Sequence, residues 1–130
     1  MVKNNLNFSI TNKTKSCIPP LPFNNMKEAV LGKNYELSLV IVGKKKIRTL
    51  NRTYRNKNKP TDILSFPLSK ISGEIFINPN QTKIQAKLFD RHFSNFVGFL
   101  FIPGLLHLKG LSHRSSLEKE VKKIRVTFGV

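Results

Sequence analysis

Acidic residues are scarce in this chain: seven Asp and Glu stand against 23 Lys and Arg, a net charge of +16 over 130 residues. A surface with so little negative charge makes a polyanion the first partner to expect, nucleic acid ahead of a membrane surface. Cysteine occurs once, at Cys17. An intramolecular disulfide and a cysteine zinc cluster are therefore both excluded, and a reducing cytoplasm fits. There is no apolar run long enough to cross a bilayer either. The longest, Phe96 to Leu106, covers 11 residues and contains Pro103 and two glycines, where a span needs about 20. The opening residues Met1-Val2-Lys3-Asn4-Asn5 lack the apolar segment of a secretory signal. Histidine is represented by His92, His107 and His113 alone.

What is present suffices for one folded domain over residues 1–130. Hydrophobic residues make up 39%, ten of them Phe, enough for a real core. Leu6 to Thr11 alternates apolar and polar residues and reads as a strand. After a loop punctuated by Pro19, Pro20 and Pro22, a short helical pattern covers Met26 to Leu31. Glu36 to Val42 is nearly continuously apolar and reads as a central strand buried on both faces. Thr61 to Pro67 and Gly73 to Ile77 supply two more strands, with a turn at Asn78-Pro79-Asn80. From Lys83 to Lys109 the density of apolar side chains predicts one core helix, kinked or restarted at Pro103, which disfavours helical angles at Ile102. Ser115-Ser116-Leu117-Glu118 matches a capping box opening a last helix, with Leu117, Val121 and Ile124 inward and Lys119, Lys122, Lys123 and Arg125 outward.

Two stretches carry chemistry. Between Lys44 and Lys59 there are eight Lys or Arg and no acid. At helical spacing Ile47, Leu50 and Tyr54 form an inward face, and Lys44, Arg48, Arg52 and Arg55 a separate basic stripe. An ordinary solvated helix gains from Glu placed four residues from Lys, so the absence of acids favours phosphate contact. The second stretch is Phe101 to His113, which contains H-x-x-G-x-x-H from His107 to His113. A helix stopping at Gly110, with left-handed backbone there, would swing His113 back toward His107. The same spacing forms the second half of a metzincin zinc signature, but Pro103 stands at its first histidine and Gly104 at its general-base Glu. A metalloprotease is thus disfavoured. On spacing alone, a pair of histidines is more often structural than metal-binding.

Several separated motifs together resemble one family. Leu50-Asn51-Arg52-Thr53-Tyr54-Arg55, then Pro60-Thr61-Asp62-Ile63-Leu64-Ser65-Phe66-Pro67, Gly73-Glu74-Ile75-Phe76-Ile77, and Gly104 to His113 are similar in order and spacing to the YbeY endoribonucleases, also called rRNA maturation factors. The resemblance implies an α+β domain with a mixed four-stranded sheet packed against a long central helix and further helices. It implies zinc (Zn2+) held by three histidines and metal-dependent cleavage of single-stranded RNA, acting on 16S rRNA and the small ribosomal subunit in ribosome quality control. By position, His107 and His113 match the second and third metal ligands and Arg55 the functional arginine. Pro103 takes the place of the first ligand, and Ser112 that of the acid before the last. Two readings stand: an endoribonuclease with an impaired metal site, or a non-catalytic ribosome-associated protein that binds RNA through Arg48, Arg52 and Arg55.

Overall fold

The computed structural model describes residues 2–5, 7–110 and 114–130. Strand β1 (Val2–Asn5) is followed by β2 (Phe8–Asn12), helix α1 (Phe23–Leu31), β3 (Glu36–Ile41), α2 (Lys44–Arg55), β4 (Ile63–Ser69), β5 (Ser72–Ile77), α3 (Pro79–Leu88), α4 (Phe93–Leu108) and α5 (Arg114–Phe128). The strands form one mixed sheet in the order β1-β2-β3-β5-β4. All four strands expected from the sequence are present, and β1 adds a fifth at one edge, antiparallel to β2. The first expected strand is β2, since Leu6 lies outside the described residues. As expected, β3 is central, paired in parallel with β2 on one side and β5 on the other. The β4–β5 hairpin is antiparallel and leaves β4 at the second edge.

Alternation along the strands divides the core in two. Leu37, Leu39, Ile41, Ile75 and Ile77 point to one face, where α1, α4 and α5 bring Met26, Phe101, Ile102, Leu105 and Val121 against them. Val40, Val42 and Leu64 point to the other face, where Ile47 of α2 covers them. Because side chains alternate across a sheet, β3 serves both layers at once. That requirement explains its nearly unbroken apolar sequence.

The helix expected from Lys83 to Lys109 is two helices. α3 starts earlier, at Pro79, because the Asn78 side chain accepts a hydrogen bond from the Gln81 amide and Pro79 occupies the first turn, where no amide donor is needed. The Asn78-Pro79-Asn80 segment read as a turn is thus a helix start. α3 ends at Leu88, and Asp90 adopts left-handed angles (φ 53°), with the Arg91 amide reaching back to the Ala86 carbonyl. Asp tolerates this conformation better than most residues.

The helix does not restart at Pro103, for α4 runs through it from Phe93 to Leu108. Proline has no amide to offer the Phe99 carbonyl, four residues earlier. That carbonyl instead accepts a hydrogen bond from Arg125 Nη2 at 2.8 Å. Arg125, expected to point outward on α5, lies over the Phe99 ring with Cζ 3.4 Å from its centroid. A tertiary contact replaces the hydrogen bond that the proline removes.

Candidate functional site

On α2 the apolar face is narrower than the spacing of Ile47, Leu50 and Tyr54 suggests. Ile47 and Asn51 are buried, Leu50 is half-buried, and Tyr54 is 66% exposed, leaning on Phe66 with ring centroids 5.1 Å apart. The fourth slot of the face goes to Asn51, whose side-chain amide donates to the Lys59 carbonyl at 2.9 Å. Arg48 Nε donates to Asn58 Oδ1 at 3.0 Å. These two bonds tie the turn after α2 back onto the helix. Asn56 closes the helix with left-handed angles (φ 60°), its amide bonding to the Arg52 carbonyl. Lys44, Arg48, Arg52 and Arg55 are all exposed, as the stripe reading requires. Sequence reasoning passed over Asn51; a polar residue on the inward side of an amphipathic helix was the available signal.

The turn delivers the chain to β4 through Asp62. Its carboxylate accepts from the Ile63 amide at 2.8 Å, while its backbone carbonyl accepts from the Asn78 amide. Burial pushes the Asp62 carboxyl above the usual carboxylate range, and the hydrogen bonds oppose that shift without cancelling it. Asn78, 1% exposed, also donates to the Val42 carbonyl at 3.0 Å. The ends of β3, β4 and β5 are thereby fastened at one corner of the sheet.

Across the sheet, α4 packs against β4 through Gly104. A methyl group at that position would lie 2.9 Å from Ser65 Oγ and 3.3 Å from Ile63 Cδ1. Close approach therefore needs glycine here, and a glutamate in its place would have no room. Pro103 is half-buried and His107, one turn on, is exposed. The helix ends as expected, with Gly110 left-handed (φ 92°) and its amide on the His107 carbonyl. His113 lies outside the described residues. Among the described residues no group of three His, Cys, Asp or Glu side chains converges as a metal site would. A three-histidine zinc does not fit this chain, since position 103 offers no donor atom.

The arginine stripe and His107 thus sit on helices that cover opposite faces of the sheet. What joins them is β4, which turns Leu64 and Phe66 toward α2 and Ile63 and Ser65 toward α4. This strand is the core of the motif Pro60 to Pro67. His92 precedes α4 and is exposed.

Residues 3–126 match the model of a family described as Endoribonuclease YbeY. Proteins with that description include one from Alkaliphilus metalliredigens, 38% identical over 102 residues (69% of this chain, 66% of the other). A second, from Aquifex aeolicus, is 39% identical over 95 residues (68% and 63%). A third, from the Onion yellows phytoplasma, is 36% identical over 122 residues (86% and 84%). The chain thus spans slightly under two thirds of the first two relatives. The solution structure of TM1509 from Thermotoga maritima is similar in fold, with a TM-score of 0.61 at 24% identity, covering 92% of this chain and 90% of that one.

Proposed function

Since the chain belongs to the YbeY endoribonuclease family, we propose that it cuts single-stranded RNA, acting in the cytoplasm on 16S rRNA and the small ribosomal subunit. The observation that carries this reading is the exposed, acid-free arginine face of α2, ending at Arg55 beside the turn that leads into β4. Arg55 is the residue assigned to the scissile phosphate, because a guanidinium matches two phosphate oxygens and stabilises charge developing on them. Arg48 and Arg52 hold the flanking backbone. Zinc is the metal expected, with His107 and His113 as protein ligands and the other positions left to solvent or RNA oxygens. Two histidines bind zinc more weakly than three.

Cleavage of a labelled single-stranded RNA tests the first part. Arg55→Ala is expected to lower the rate by about 100-fold while affinity falls only a few-fold, since phosphate stabilisation in the transition state is worth about that much. Equal rates for parent and variant would sink the assignment. Metal analysis of the parent beside Pro103→His tests the second part. A full complement of zinc in the variant and little in the parent is the expected result; equal zinc in both would show that another group completes the set. A second reading, an RNA-binding protein that does not cleave, is favoured by Pro103 itself. It requires intact affinity with no products in the same assay.

A further inference from the structure

A basic cluster distinct from α2 lies on the opposite side of the sheet, where α5 packs on α4. There Arg91 and Arg125 share one aromatic ring, with their Cζ atoms 4.0 and 3.4 Å from the Phe99 centroid. Both line an open pocket of about 540 Å³, together with Lys122. Partial burial works against the charge of Arg125, and repulsion from the Arg91 guanidinium over the same ring adds to it. The Arg125 Nε is buried with no hydrogen-bond partner, an unfavourable state for a charged donor.

The bonds these side chains do make leave donors over. Arg125 uses Nη2 on the Phe99 carbonyl, and Arg91 uses Nη1 on Asn95 Oδ1 at 2.6 Å. Among the described residues, neither guanidinium pairs with a carboxylate. The acid on the pocket wall, Glu118, has a contact of its own. An anion in the pocket would offset the repulsion and accept from the remaining amino groups, and a phosphate matches a guanidinium fork best.

We infer that the Arg91–Phe99–Arg125 pocket, with Lys122 on its wall, is a second phosphate-binding site, separate from the α2 stripe. It needs no assumption about cleavage. The phosphate has two sources to be told apart: the backbone of an RNA already held on the far side of the sheet, or a free phosphate group.

The test is NMR of the arginine Nε–Hε signals during titration with sodium phosphate, against sodium chloride at equal ionic strength. Saturable shifts of the Arg91 and Arg125 signals with phosphate alone are expected, and their loss in Lys122→Gln or Arg91→Gln would locate the site. Signals that stay still, or shift equally in chloride, would overturn the proposal. Anisotropy with a single-stranded oligonucleotide then separates the sources. An affinity drop of about threefold in Arg91→Gln assigns the site to the RNA backbone. Unchanged RNA affinity in Arg91→Gln, with the phosphate shifts present in the parent protein, assigns it to free phosphate. Arg91→Gln leaves the Arg125 bond to Phe99 in place, so the result does not depend on α4 staying intact. Failure of RNA cleavage would change none of these readings.

Discussion

Asp62 shows what a single residue of the family motif costs the fold. Its carboxyl is held above the usual range by burial, so the folded state keeps its proton where the unfolded chain has lost it. Stability from this group is complete below the unfolded pKa, near 3.8, and is lost as pH rises through the folded value. Asp62→Asn retains an acceptor for the Ile63 amide and removes the charge. The melting temperatures of variant and parent should therefore coincide near pH 3.5 and separate in favour of the variant toward neutrality. A gap that is constant with pH would contradict this. In the sequence Asp62 shows only as a member of the Pro60 to Pro67 motif, whereas the Asn78 amide that bonds its backbone carbonyl lies 16 residues further along the chain. Asn51 is a similar case: the motif marks it, but its partner, Lys59, is supplied by the fold of the turn.

Among the elements, strands were easier to read than helices. Alternation marks β2 and β5, and the nearly continuous apolar run of β3 reports a strand buried on both faces. The apolar density of residues 83–109 reported a buried region but not its break, since Phe89 lies next to the left-handed Asp90 and yet stacks on Phe96 at 5.6 Å. The continuity of α4 was hidden for a further reason. It depends on Arg125, whose position on α5 predicts solvent and whose partner exists only because Pro103 frees a carbonyl. A double-mutant cycle checks that dependence. Arg125→Met should cost about 2 kcal/mol in the parent, for a part-buried acceptor left unpaired and a lost stack. In Pro103→His, where residue 103 regains an amide, it should cost about 1 kcal/mol less. Denaturant melts of the four proteins would show this, and strictly additive losses would mean that the carbonyl is satisfied in some other way.

At the scale of the whole molecule, the charge of +16 is spread over more than one face. The α2 stripe lies under one layer of the sheet, and the Arg91 and Arg125 cluster on the other. RNA affinity should fall with salt on a log–log slope of about −0.7 for each phosphate contacted by a single strand. Arg48→Gln, Arg52→Gln and Arg55→Gln should each make that slope shallower by roughly this amount, as read from binding isotherms at several salt concentrations. A slope unaffected by all three would remove α2 from the interface.

The sheet order has one more consequence. With β4 at the edge, its outer row of backbone donors and acceptors is an open template for another chain. Pro67 deletes one donor from that row, and the register shift between Pro67 and Ser69 bends the strand beyond it. The proline that ends the Pro60 to Pro67 motif therefore also interrupts that template along the edge beside the candidate site.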